Sequence, residues 1–240
     1  MGFGGFLFFS KQNILIGKDI IYNRTLNYYI CTMPLYKTIH VDDVTKVLVW
    51  KITESFTELF REVALKDVCL YRLEGMKSQL HQRGFLSVRK LLEQAGYTDF
   101  DLYYDPNGKP HLKDGRHISI THSFEFSAII VSDRNIGIDL EQQREKIFRI
   151  ADKFTDPEDI FFEKQNNEKT IRQLTAIWGI KESIYKFYSQ RGLSLKDNIN
   201  VLPFDIDKNQ IEAHVNYEEI QAKHQAKFEE FEGYTLVYLL

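Results

Sequence analysis

The chain has 240 residues, 43% hydrophobic and 14% aromatic, with 31 Lys and Arg against 34 Asp and Glu for a formal net charge of −3. That length can build one large domain or two small ones around a sizeable core. The near-neutral balance excludes the broad cationic field that nucleic acid needs, so an anionic ligand must be met by a local cluster of Lys, Arg or His, and a small ligand suits better than a polymer.

No apolar run approaches the roughly 18 to 20 residues that span a bilayer. The opening Met1-Gly-Phe-Gly-Gly-Phe-Leu-Phe-Phe9 is apolar, but without a basic leader or a small-residue cleavage site it is not read as a signal peptide. Residues 1–32 have weak periodicity and are read as an N-terminal extension ahead of the better-patterned start at Met33. Cys31 and Cys69 are far apart and lack metal-ligand spacing, which argues against a disulfide framework or a zinc site and for a reducing cytoplasm.

From Lys37 to Trp50 the residues Ile39, Val41, Val44, Val47 and Val49 predict one or two strands broken near Asp42-Asp43. Thr53 to Phe60 reads as a helix with Thr and Ser caps, and residues 70–95 as a longer helix or helix pair. Asp105-Pro-Asn-Gly-Lys-Pro110 is a turn, since Pro fixes φ and Asn-Gly accepts positive φ. Strands follow at 118–121 and 127–132, and Asp133-Arg-Asn135 reads as a hairpin turn into a strand at 136–141. A helical stretch from Lys146 to Phe162, a strong helix from Thr170 to Tyr188, and late strands at 198–201, 210–215 and 234–240 complete the chain. Helix followed by strands occurs twice, and the class is α+β.

Alternation in the 136–141 strand puts Asp139 and Glu141 on one face and Ile138 and Leu140 on the other. Two carboxylates about 7 Å apart can share a hard cation, although such a pair after a turn is ordinarily solvated charge. On the helix, Trp178, Glu182 and Lys186 form one stripe. Alone this is an ordinary i, i+4 surface pair, but the aromatic argues for partial burial, and Lys181 adds a cation. Thr121, His122 and Ser123 at a strand end offer donors suited to phosphate oxygens, with a structural His122 as the plain alternative. A Ser-His-Asp hydrolase lacks the required Gly-x-Ser-x-Gly.

In order, the blocks Gly108-Lys-Pro110, Ile120-Thr-His-Ser123, Gly137-Ile-Asp-Leu-Glu141 and Trp178-x-x-Lys-Glu-x-x-x-Lys186, with Gly192-Leu-Ser-Leu195 trailing, resemble the 4′-phosphopantetheinyl transferase superfamily, in its single-chain type that activates surfactin synthetase. The likeness runs from about Lys77 to Leu195. It implies that Asp139, Glu141 and Glu182 bind Mg²⁺, whose preferred ligands are oxygens. It also implies that Lys186 contacts the pyrophosphate of coenzyme A, that Lys109 and Pro110 line the coenzyme site, and that Thr121, in place of the usual serine, binds phosphate with His122. Lys77, Arg83 and Arg89 are assigned either to the 3′-phosphate or to helix packing.

The implied reaction moves the 4′-phosphopantetheine arm of coenzyme A to a serine of an acyl or peptidyl carrier protein, releasing adenosine 3′,5′-bisphosphate. Glu182 is the implied base, directly or through a metal-bound water, and Lys186 is its catalytic partner. The implied fold is two pseudo-symmetric α+β halves, residues 33–133 and 134–240, with the active site between them. A cytoplasmic monomer is expected, with the carrier docking through hydrophobic contacts and a cationic rim, and with neither nucleic acid nor membrane as partner. The alternatives are a non-catalytic carrier-binding paralogue and a metal-dependent phosphohydrolase.

Overall fold

In the computed structural model, residues 35–156 and 167–240 are described. They fall within one compact unit from Met33 to Leu240. The extension assigned to residues 1–32 and the end of the helix predicted to reach Phe162 lie outside the described residues.

β1 (Leu35–His40) and β2 (Lys46–Lys51) flank the break at Asp42-Asp43. α1 (Phe56–Glu62) begins at Ser55, which accepts from the Glu58 N–H while the Glu58 carboxylate accepts from the Ser55 N–H, a reciprocal capping box. α2 (Asp67–Glu74) and α3 (Gln79–Ala95) resolve the predicted pair. β3 (Leu102–Tyr104) and β4 (Pro110–Leu112) enclose the Asn-Gly turn, whose Asp105 carboxylate accepts from the N–H groups of Asn107 and Lys109. Next come β5 (His117–Ser123), β6 (Phe126–Ser132) and β7 (Ile138–Gln142). α4 (Asn167–Tyr188) leads to β8 (Ile199–Val201), β9 (Gln210–Tyr217), β10 (Ile220–Phe231) and β11 (Tyr234–Leu239).

The strands form two antiparallel sheets, one in the order β1-β2-β6-β5-β4-β3 and the other β7-β11-β10-β9-β8. The six-stranded sheet is buried on both faces at its centre. Leu48, Trp50, Ile129 and Val131 meet α3, while Val47, Val49, Ala128 and Ile130 join a core shared with β7, β11 and α4. This is the expected α+β class. No described helix is long and apolar enough to cross a membrane.

Three elements depart from the sequence reading. Asp133-Arg-Asn135 is not a hairpin turn: β6 already has β2 and β5 on its two edges, so β7 crosses to the second sheet and pairs with β11. In place of a helix from Lys146 there are two 3₁₀ turns, Glu145–Arg149 and Ala151–Lys153, which bring Ile147, Ile150 and Phe154 onto Leu174 and Ile177 of α4; apolar residues near a spacing of three suit that tighter winding. β10 was not foreseen, because its Gln, Ala, Lys and Glu residues favour helix. Ladders to β9 and β11 on both sides override that preference.

Two glycines set the depth at which α4 lies on this sheet. A Cβ on Gly137 would stand 1.9 Å from the Ser183 carbonyl oxygen, and one on Gly179 would stand 2.5 Å from a Val237 methyl. The first obstacle is backbone and cannot rotate away. Gly137→Ala is therefore expected to cost on the order of 3 kcal/mol, at the upper end for overpacking, and to lower the melting temperature by about 2–4 °C per kcal/mol. Thermal unfolding measures it, and an unchanged midpoint would show that the approach is looser than the geometry states.

Candidate active site

Alternate residues of β5 face β7 across the junction of the two sheets. The Ser119 hydroxyl accepts from the Ile138 N–H at 3.3 Å, and the Thr121 hydroxyl accepts from the Leu140 N–H at 3.1 Å. The Thr121 hydroxyl donates to Asp139 Oδ1 at 3.2 Å, and that of Ser123 donates to Glu141 Oε2 at 3.0 Å. Side-chain hydroxyls thus stand where a sheet would place backbone partners. They orient both carboxylates toward the side on which α4 carries Glu182 and Lys186. The Lys186 ammonium donates to Asp139 Oδ1 at 2.7 Å and to the Ile138 carbonyl at 3.0 Å.

The three carboxylates repel one another. Burial, followed by the charge of Asp139, raises Glu182 to about 7, with Glu141 adding to the rise and Lys186 opposing it. Burial and then Asp139 also raise Glu141. Asp139 is 5% exposed, and its Oδ2 is buried with no hydrogen-bond partner.

Among the described residues, no three His, Cys, Asp or Glu side chains are drawn together as a finished metal site. The physical reason is visible: Lys186 and Thr121 occupy Asp139 Oδ1, and Ser123 holds Glu141. The orphaned Asp139 oxygen and the mutual repulsion weigh more, since both call for positive charge at that spot. An oxygen-only donor set of this kind fits a hard divalent cation such as Mg²⁺.

Without a cation, Glu182 contributes a definite pH dependence. Its folded value lies above the ordinary 4.5, so the stability of the cation-free protein is fullest below that value and falls as pH rises through 4.5 toward about 7. The loss is at most about 3 kcal/mol. Melting temperatures at pH 5 and pH 8 should show it, and saturating Mg²⁺ should reduce it. A profile that rises over that interval would contradict the raised Glu182.

Beside the carboxylates lies a cavity of about 520 Å³, walled by Phe85, Tyr104 and Ile120. Of the sequence-named residues, Lys109, Pro110, His122 and Lys186 line it, and Arg89 touches it. Arg72, His81 and Arg191 also line it and were not foreseen. They come from three separate segments, and no local pattern marks them. The result is a cation-rich pocket. His122 is exposed along its outer edge, yet desolvation against the wall and then His81 and Lys186 lower its imidazole, favouring the neutral form.

The other named residues stand elsewhere. Thr121 lies on the opposite face of β5 from His122, because strand residues alternate, and it serves Asp139 rather than the cavity. Arg89 is 3% exposed and is committed to Asp99, with Nε to Oδ1 at 2.9 Å and Nη1 to the Phe85 carbonyl at 3.1 Å. Arg83 Nη2 donates to the Ile52 carbonyl at 2.8 Å, outside the cavity wall, and Lys77 is exposed in the loop before α3. Lys181 donates to the Leu195 carbonyl at 2.8 Å, tying α4 to the Gly192-Leu-Ser-Leu195 loop.

The cation-lined pocket and the carboxylate group share Lys186, and together they offer the charges that a phosphorylated ligand and a divalent cation require. Residues 135–238 match the family model of the 4′-phosphopantetheinyl transferase superfamily. The 4′-phosphopantetheinyl transferase gsp of Aneurinibacillus migulanus is 30% identical over 157 residues, 63% of this chain and 64% of that protein. The chain thus spans less than two thirds of this curated relative. Residues 135–238 are thus similar to the 4′-phosphopantetheinyl transferase superfamily.

Proposed function

We propose that the protein transfers the 4′-phosphopantetheine arm of coenzyme A to a serine hydroxyl of an acyl or peptidyl carrier protein. The observation that carries this reading is the Asp139, Glu141 and Glu182 group, with Lys186 bonded to Asp139 and also lining a cavity rich in Lys, Arg and His. Coenzyme A is a polyanion with a pyrophosphate and a 3′-phosphate, and a pocket of that charge suits it.

In this reading Arg72, His81, Arg191 and His122 hold the nucleotide phosphates while the aromatic walls take the flatter parts of the ligand. Lys186 lies where its ammonium can turn from Asp139 to a pyrophosphate oxygen. Asp139, Glu141 and Glu182 would hold the Mg²⁺, which when bound supplies charge neutralisation at the pyrophosphate. Glu182 takes the proton of the serine hydroxyl. The serine oxygen bonds to the phosphorus bearing the pantetheine arm, the bond from that phosphorus to the bridging oxygen breaks, and adenosine 3′,5′-bisphosphate leaves with the electron pair. Such a transfer depends chiefly on positioning and electrostatic stabilisation. The value of about 7 belongs to the cation-free group and a bound cation would lower it, so the base role, direct or through a water, rests on the place of Glu182 beside Asp139 and Lys186.

The chain carries both sheets and both long helices, so we read it as an active monomer working in the cytoplasm, where coenzyme A is available. The test is intact-protein mass spectrometry after incubation with coenzyme A, Mg²⁺ and a panel of apo carriers. One added phosphopantetheine per carrier is the expected result. No mass gain on any carrier counts against transfer, and nucleotide release without a carrier points to hydrolysis.

A further inference from the structure

Lys109 lies in the β3–β4 connection, yet its ammonium reaches the far end of α4. Its Nζ donates to the Phe187 carbonyl at 2.6 Å and to Asn135 Oδ1 at 2.8 Å, while Asn135 Nδ2 donates to the same carbonyl at 2.9 Å. Three groups from a hairpin, the crossover before β7 and a helix end thus close on one another. Phe187 is in the last turn of α4, where carbonyls lack intrahelical partners and the helix dipole presents negative charge. The helix stops directly afterwards: Ser189 has φ 48° and donates back to the Tyr185 carbonyl at 2.7 Å. Asp105, the acidic neighbour of Lys109, gives its oxygens instead to the Asn107 and Lys109 N–H groups and to His111.

We propose that Lys109 is a positioning residue: with Asn135 it fastens the C-terminal end of α4 to the first sheet, and so fixes Lys186 and Glu182 against Asp139. This rests on the reading of Lys186 and Glu182 as transfer machinery. It gives Lys109 a role distinct from that of a phosphate ligand. Two of the three ammonium protons are directed at protein oxygens, and the residue they anchor is adjacent in sequence to Lys186. A shift of about 1 Å at that helix end would misplace the ammonium that meets the pyrophosphate, and displacements of that size can cost about a hundredfold in rate.

The test compares Lys109→Met, Asn135→Ala and the double variant. In Lys109→Met, amides in the last turn of α4 should exchange at least about tenfold faster while those of α3 are unchanged. Transfer kcat should fall at least about tenfold, with coenzyme A affinity by calorimetry kept within about twofold. Asn135→Ala should change both in the same direction, and the double variant should be little worse than Lys109→Met, because both bonds serve one clasp. Lys109→Arg, which keeps a charged donor at the helix end, should recover part of kcat and serves also if the Met variant folds poorly. Unchanged exchange at α4 combined with at least tenfold weaker coenzyme A binding would overturn the proposal and make Lys109 a ligand. If the unmodified protein transfers nothing to any carrier, the transferase reading fails, while amide exchange still decides the clasp.

Discussion

Glu182→Gln is expected to lower phosphopantetheine transfer by about a thousandfold, while the cation-free protein becomes more resistant to heat above pH 7. Both effects follow from one fact: Glu182 is half-buried beside Asp139 and Glu141, and burial with their charge raises it to about 7. The amide keeps the shape and removes the repulsion, so the folded state gains where the carboxylate was ionised. In the proposed reading it also removes an oxygen anion from the metal group and the base from the reaction. A positioned base alone is worth about a hundredfold to ten-thousandfold. Transfer rates, Mg²⁺ titration by calorimetry and melting curves at pH 8 separate the parts. Near-normal turnover would show that Glu182 is neither base nor an essential ligand. Lost turnover with unaltered Mg²⁺ affinity would leave it the base alone.

Arg89→Leu should lower the free energy of unfolding by about 3–5 kcal/mol, because it strands a buried carboxylate. The Arg89 and Asp99 side chains are 3% and 0% exposed. Besides the ion pair, the guanidinium lies 3.5 Å from the Phe85 ring centroid and Nη2 donates to Cys69 Sγ, while Asp99 Oδ2 accepts from the Lys66 N–H. The network joins α2, α3 and the turn before β3. Loss of the cation leaves Asp99 charged in a dry site, whereas replacing both residues with apolar ones of similar volume should recover much of the loss. Chemical denaturation measures this, and coenzyme A binding in the cold should stay near the unmodified value. A stable variant with sharply weakened coenzyme binding would instead assign Arg89 to the 3′-phosphate.

Much of the carboxylate group was legible in the sequence. A strand has period two, so Asp139 and Glu141 share a face without reference to any other element, and a helix puts Glu182 and Lys186 on one stripe. The same period separates Thr121 from His122: neighbours in a strand point to opposite faces, and Thr121 is bonded to Asp139 while His122 lines the cavity. The hydroxyls of Ser119, Thr121 and Ser123 also recur with period two, a signal that could have been read as a row facing one partner. Nothing local could have named Arg72, His81 or Arg191, because the cavity is made by surfaces that meet only after the sheets have packed.

The strands themselves divide in the same way. β5 and β6 carry their own evidence in β-branched runs, whereas β10 is a strand only because β9 and β11 lie on either side of it. The sequence by itself determined the α+β class, the Asn-Gly turn, the α4 helix and the facing of its charged stripe, all of which depend on residues a few positions apart. Tertiary structure alone decided that β7 leaves β6 for β11, that Arg89 pairs with Asp99, and that Lys109 closes on the Phe187 carbonyl. The physical reason is that periodicity assigns a side chain to a face, but the partner across that face is chosen by which edges and charges remain open once the core has closed.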